Sequence, residues 1–135
     1  TLSISAGVFG LAVATQANME SSVSSGSTSL IVTPGRQHFH PGSGKAWARF
    51  DGTATSVTAA AGYNVTSITD LGTGTYGVNY TTPFSGNSYA AVATSNQSQT
   101  RLRSMSAATI TIICEASLST AVDANEVSFI ALGDL

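Results

Sequence analysis

The sequence predicts a mostly β protein, an antiparallel β-sandwich of about eight strands with a short N-terminal extended and helical segment. Two features of the chain predict this fold. Short stretches in which apolar and polar residues alternate recur at spacings of about ten residues from Lys45 onward. Groups of Gly, Asn, Asp and Ser separate these stretches, and such groups form the turns between antiparallel strands.

The composition predicts a folded protein with an unusually uncharged surface. Charged residues make up 9% of the 135 residues, whereas an average soluble domain has about 25%. Hydrophobic residues make up an ordinary 42%, so Ser, Thr, Gly and Asn take the place of the missing charges. We expect other copies of the chain to cover part of such a surface, and the sequence therefore predicts an oligomer.

The charge distribution argues against nucleic acid as a partner, and the length of the apolar stretches argues against a membrane. The net charge is −2, and only Arg101 and Arg103 of the five basic residues lie close together. Nucleic-acid binding needs a clustered basic surface, so it is not expected. The chain has no apolar stretch long enough to span a bilayer, so membrane insertion is not expected either.

The N-terminal part is predicted to be a stalk or collar segment, residues 1–36, ahead of a β-sandwich head domain at 37–135. Residues 1–13 mix glycines with apolar residues and are predicted to be extended. Thr15 is a suitable N-cap for a helix over 16–23, which is short enough to need packing against a partner. A Pro-Gly pair then turns the chain toward the head domain.

A hairpin gives the clearest pattern within the head domain. Asp70–Gly74 contains two glycines that can take a positive φ in a turn. In the strand that follows, Tyr76, Val78 and Tyr80 alternate with small or polar residues. Pro83 cannot donate a ladder hydrogen bond and ends that strand. The predicted strands are 45–50, 56–60, 63–69, 76–81, 88–94, 101–105, 109–116 and 126–132.

Several short blocks of the chain stand in a fixed order and spacing. They are Lys45-Ala46-Trp47, Asp51-Gly52-Thr53 and Ser67–Tyr76, with Ala14–Glu20 and Ile31–Pro34 upstream. In this arrangement residues 14–84 resemble the C-terminal parts of bacteriophage tail-fibre and other virion-surface fibre proteins.

The resemblance implies a homotrimer on the virion surface, in a tail fibre or another external appendage, in contact with other virion proteins. It implies a tip that attaches the phage to its host by binding a bacterial surface glycan or protein. One alternative is a structural virion component without its own ligand, such as a head-decoration fibre, collar or baseplate piece. A fragment of a polysaccharide depolymerase is a third.

His38 and His40 are the candidate metal ligands. In an extended segment both imidazoles point to one side, and three chains around an axis would present six of them to a transition metal. The resemblance supports this reading, because some trimeric phage fibres use a His-x-His pair in this way. Packing or surface hydrogen bonding is the alternative, which Pro41 favours because it follows at once. No other cofactor is expected.

Enzymatic activity is not expected. Acid–base catalysis needs two converging carboxylates, and only Glu115 and Glu126 lie in or beside strands, where they either meet across a hairpin or face solvent. The single cysteine, Cys114, lies in an apolar strand and is predicted to be a buried thiol rather than a nucleophile. The carboxylates in turn contexts, where they hydrogen-bond their own backbone, are Asp51, Asp70 and Asp123.

Receptor binding is assigned to a polar, uncharged loop between two predicted strands, whose amides and hydroxyls can adapt to a ligand. An ordinary solvated connection is the alternative. Sugar-binding surfaces also use exposed aromatic rings, but Trp47, Tyr76 and Tyr80 lie on strands and are predicted to belong to the core. The candidate receptor-binding residues are Asn96, Gln97, Ser98 and Gln99.

Overall fold

The chain divides into two compact units, Thr1–His40 and Pro41–Leu135. The computed structural model of the protein describes residues 13–20, 32–40 and 42–135. Antiparallel strands dominate the second unit, and two short helices lie in the described part of the first. Within the described residues, no helix has the length and apolar character that a membrane span requires.

The described part of the first unit contains the helices α1 (Gln16–Glu20) and α2 (Pro34–Gln37). Thr15 caps α1 as predicted, because its Oγ1 accepts a hydrogen bond from the backbone N–H of Asn18 at 3.2 Å. The Asn18 side chain accepts one from the Thr15 backbone N–H in return, at 2.9 Å. The predicted extended stretch before Val13 and the predicted end of the helix lie outside the described residues. The stalk role and its boundary stay predictions.

The described part of the second unit contains nine strands in two antiparallel sheets. They are β1 (Gly44–Phe50), β2 (Ala59–Tyr63), β3 (Val65–Asp70), β4 (Thr75–Tyr80), β5 (Ala90–Ser95), β6 (Gln99–Met105), β7 (Thr109–Ser117), β8 (Thr120–Ala121) and β9 (Val127–Leu132). The first sheet has the order β2-β1-β9-β5. The second has the order β3-β4-β7-β6, with the short β8 beside β7. This architecture confirms the predicted antiparallel fold with two sheets.

The core lies between the two sheets, since the apolar sides of both are buried against each other. Phe50 of β1 contacts Tyr76 of β4 edge-on, with ring centroids 5.2 Å apart. Tyr80 of β4 lies 6.4 Å from Phe129 of β9. Cys114 is fully buried, as predicted, and burial raises the pKa of its thiol. The same core includes Ala46, Ala48, Ile68, Val78, Ile110, Ile112, Val127 and Ala131.

Asn64 forms the corner at which the chain leaves the first sheet and enters the second. Its φ is 55°, in the left-handed region that asparagine tolerates better than most residues. Its Oδ1 accepts from the Thr82 backbone N–H at 2.7 Å, and its Nδ2 donates to the Thr82 carbonyl at 3.0 Å. Because the corner lies at Asn64, β2 ends at Tyr63 and β3 begins at Val65. The predicted strands, 56–60 and 63–69, are therefore misplaced.

Replacing Asn64 tests the corner. Asn64→Ala removes both side-chain bonds and strains the left-handed backbone, so we expect it to lower the free energy of unfolding by about 1–3 kcal/mol in urea denaturation. Asn64→Gly loses the same bonds without the strain and should lose less. A wild-type free energy of unfolding for Asn64→Ala would contradict the role of this corner.

Candidate functional site

The outward-facing side chains of the first sheet form an apolar line across all four strands. The register places Tyr63 opposite Trp47, Trp47 opposite Ile130, and Ile130 opposite Val92. Their exposed fractions are 48%, 42%, 39% and 55% in the order Tyr63, Trp47, Ile130, Val92. Opposite residues in antiparallel strands have Cβ atoms about 5 Å apart, so the side chains form one continuous strip. We call these four residues the aromatic row.

A row of polar side chains borders the aromatic row, two residues further along the strands. Arg49 of β1 lies opposite Ser128 of β9, and Ser128 lies opposite Thr94 of β5. The guanidinium Nη2 of Arg49 is 2.9 Å from Oε1 of Glu126, and both side chains are more than half exposed. An ion pair this exposed adds little stability, and both of its groups are open to a ligand.

A shallow depression of about 310 Å³ lies where the two rows meet. Val92 and Ile130 of the aromatic row line it together with Thr94 and Ser128 of the polar row. The surface of this depression is almost entirely apolar, although two of the residues that line it, Thr94 and Ser128, are polar.

The outer face of the second sheet has a different character, because its polar side chains bond to one another. Asn79 donates from Nδ2 to Ser67 Oγ at 3.0 Å and to Thr69 Oγ1 at 2.9 Å. Arg101 donates from Nε and Nη2 to the two carboxylate oxygens of Glu115, at 3.0 and 2.8 Å. These side chains therefore find their hydrogen-bond partners within the second sheet itself.

The predicted receptor loop is shorter than expected, because β5 extends to Ser95 and β6 begins at Gln99. Only Asn96–Ser98 connect the strands, and Gln99 pairs with Glu115 within the second sheet. The Gln97 side chain already has a partner within the protein, since its Nε2 donates to the Asp123 carbonyl at 3.1 Å. Asn96 and Ser98 stay exposed, so the structure leaves these two residues open to a receptor.

The loop lies at the same end of the first sheet as the polar row. The backbone N–H of Asn96 donates to the carbonyl of Glu126 at 3.2 Å. Glu126 in turn forms the ion pair with Arg49. The loop predicted from the sequence and the aromatic row thus flank the same charged pair.

His38 and His40 lie in a turn after α2, so the extended geometry assumed for them is wrong. The backbone N–H of His40 donates to the Gln37 carbonyl at 3.2 Å, and the His38 ring lies 4.0 Å from the Phe39 ring. In the described part of the chain, no group of three His, Cys, Asp or Glu side chains could hold a metal ion. A metal shared between copies stays a prediction.

Asp51 and Asp70 hydrogen-bond the backbone of their own turns, as predicted, whereas the Asp123 carboxylate accepts from the Gly74 backbone N–H and the Tyr76 hydroxyl instead. Asp51 Oδ1 accepts from the Thr53 backbone N–H at 2.8 Å, and the side-chain and backbone bonds from Thr53 lower the pKa of Asp51. Asp70 Oδ1 accepts from the backbone N–H of Gly72 at 2.9 Å. Glu115 and Glu126 pair with different arginines, one at each sheet.

Sequence reasoning missed the aromatic row. Tyr76 and Tyr80 are buried as predicted, but the prediction that Trp47 belongs to the core is wrong. In β1 the buried apolar residues are Ala46, Ala48 and Phe50, and Lys45 is buried as well, whereas Trp47 and Arg49 are exposed on the face opposite the core. That pattern is visible in the sequence, and the charge of Arg49 marks the face that looks to solvent.

Comparison with known proteins adds no relative. No protein-family model matches the chain, and neither curated proteins nor solved structures gave a significant match. The fold class is therefore established by the strands themselves, as a mostly antiparallel β protein with two sheets. Its function has to be inferred from the sequence and from the surfaces just described.

The Arg101–Glu115 pair predicts a specific pH dependence of stability. The hydrogen bonds from Arg101 lower the pKa of Glu115 in the folded protein. Its stabilising contribution is therefore complete above the ordinary carboxyl pKa and is lost as the pH falls through the lowered pKa. We expect Glu115→Gln to shrink the drop in urea midpoint between about pH 7 and about pH 3.

The exposed Leu118 supplies the control, because its side chain carries no charge and is 81% exposed. Leu118→Ala should keep the wild-type pH dependence in the same titration. A full wild-type drop in Glu115→Gln would contradict the assignment of this pH dependence to the Arg101–Glu115 pair.

Proposed function

We propose that this chain is a bacteriophage virion fibre protein whose β-sandwich is the receptor-binding head of a tail fibre. The observation that carries the proposal is the aromatic row on one outer face of the sandwich. Soluble domains rarely expose a contiguous line of large apolar side chains unless the surface binds something. The resemblance of residues 14–84 to virion fibre proteins supports the same function.

The sandwich suits attachment because it presents the site on a rigid scaffold. The inner sides of both sheets pack into one core, so the outer face of the first sheet takes no part in that core. A preformed site loses little conformational entropy when a ligand binds. A site of this size would bind weakly on its own, and several copies on one particle would supply the missing affinity through avidity.

A structural virion component is the second candidate, and the same aromatic row favours it. In that case neighbouring virion proteins would cover the row permanently, and the chain would have no ligand on the cell. The two functions differ in what the isolated protein does to infection.

Adsorption competition separates the two candidates. Purified protein should block adsorption of the phage that carries this chain, because it occupies the receptors on the host cell. A phage with unrelated fibres should adsorb normally in the same mixture. Normal adsorption of both phages would contradict receptor binding and favour the structural component.

Light scattering tests the proposed homotrimer. With so few charged side chains, the surface is suited to contact between copies, and we expect a mass three times the chain mass of 13.7 kDa. The measurement belongs at micromolar concentration. A mass of a single chain there would contradict the trimer.

A further inference from the structure

We propose that the outer face of the first sheet is a carbohydrate-binding platform on which sugar rings stack against Trp47 and Tyr63. This inference rests on the proposed receptor-binding function and names its ligand as a bacterial surface oligosaccharide. It also moves the main site from the predicted loop to the face of the sheet.

The two aromatic side chains are placed for stacking. Trp47 and Tyr63 are direct partners on β1 and β2, and both are more than two-fifths exposed on the same face. Aromatic rings that combine an apolar face with a polar edge suit a surface that is apolar on one side and wet on the other. A pyranose ring has such a surface, since its C–H groups form an apolar face and its hydroxyls form the rim.

The length of the aromatic row suits an oligosaccharide. Four strands about 4.8 Å apart place Tyr63 and Val92 about 14 Å from each other. A short chain of sugars that begins on the rings would continue over Ile130 into the depression of about 310 Å³. The depression offers the sugar chain a mostly apolar surface, lined by Val92 and Ile130 together with Thr94 and Ser128.

The polar row supplies the bonds that hydroxyl groups need. The Arg49 guanidinium donates hydrogen bonds, and the Glu126 carboxylate accepts them, with both groups largely exposed 2.9 Å from each other. Sugar hydroxyls both donate and accept, so they can bond to either member of the pair. Hydrogen bonds to charged groups are the stronger ones, which favours a hydroxyl-rich ligand at this edge.

A second copy of the chain fits this face less well. Five to seven residues on each of four strands give a face with a projected area of about 400 Å², which is small beside the accessible surface of about 800 Å² that each partner buries in a stable protein–protein interface. An apolar partner would also have to remove water from the Arg49–Glu126 pair, and that desolvation is unfavourable. An oligosaccharide covers a smaller area and replaces the water with hydroxyls.

Trp47 reports on the platform directly, because it is the only tryptophan of the chain. The first experiment applies the intact protein to an array of purified bacterial O-antigen, capsular and teichoic-acid oligosaccharides. The oligosaccharide with the strongest response is then titrated in solution while tryptophan emission is recorded. We expect saturable binding on the array and a saturable change of the Trp47 emission with the same concentration dependence.

Substitutions locate the site. Trp47→Ala and Tyr63→Ala should each weaken array binding about tenfold or more, because each removes one stacked ring. Leu118→Ala is the matched control, since it also removes a large exposed side chain, 81% exposed, but in the turn between β7 and β8. This control should bind within about twofold of wild type. Urea midpoints near wild type would show that the variants are folded.

Four other outcomes would each contradict the carbohydrate-binding platform, and each would indicate a different alternative. Undiminished array binding by Trp47→Ala and Tyr63→Ala would place the glycan site elsewhere and leave the receptor-binding function standing. Blocked phage adsorption without array binding would point to a protein receptor. Loss of the trimer in Trp47→Ala would make the face a contact between copies. Neither array binding nor blocked adsorption would overturn the platform and the receptor-binding function together.

Discussion

The buried hydroxyl of Tyr76 is the interaction on which one end of the sandwich depends. It lies 3.2 Å from Asp123 Oδ1 and 3.3 Å from the Gly52 carbonyl, and it accepts from the Ala124 backbone N–H at 3.3 Å. Asp123 Oδ1 also accepts from the backbone N–H of Gly74 at 2.7 Å. Burial raises the pKa of Tyr76, so the hydroxyl stays a donor. A Cβ on Gly52 would overlap the tyrosine ring, which explains why a glycine stands there. One hydroxyl thus joins three turns that are distant in sequence.

The same junction positions the edge of the candidate site. The carbonyl of Asp123 accepts from the Gln97 side chain, and the carbonyl of Glu126 accepts from the backbone N–H of Asn96. Residues 123–126, which the Tyr76 hydroxyl anchors at Asp123, therefore position the loop after β5. The same segment carries the Glu126 carboxylate that pairs with Arg49. A ligand on the first sheet would meet a polar edge that is already ordered, and little further ordering would oppose binding.

The two-residue alternation of apolar and polar side chains in the sequence predicts where strands lie. The candidate site depends in addition on which strands pair with each other, and the alternation does not give this pairing. Alternation identified β4, whose Tyr76, Val78 and Tyr80 are buried, and apolar composition identified β7 with its buried Cys114. Alternation misplaced β2, since the alanines at its start carry no alternation and the corner at Asn64 depends on bonds to Thr82. The aromatic row could not be predicted, because Tyr63, Trp47, Ile130 and Val92 are brought together only by the pairing of β2, β1, β9 and β5.

Residue-resolved hydrogen–deuterium exchange on Tyr76→Phe is the most direct test of this account, with the exposed Tyr63→Phe as the control. Removing a buried hydroxyl that serves several partners is expected to weaken the junction by about 1–3 kcal/mol, which increases local opening about 5- to 150-fold. The account predicts faster exchange at the amides joined through the junction in Tyr76→Phe and wild-type exchange in Tyr63→Phe. Unchanged exchange at those amides in Tyr76→Phe would contradict it. The amides are those of Gly52, Gly74, Asn96 and Ala124.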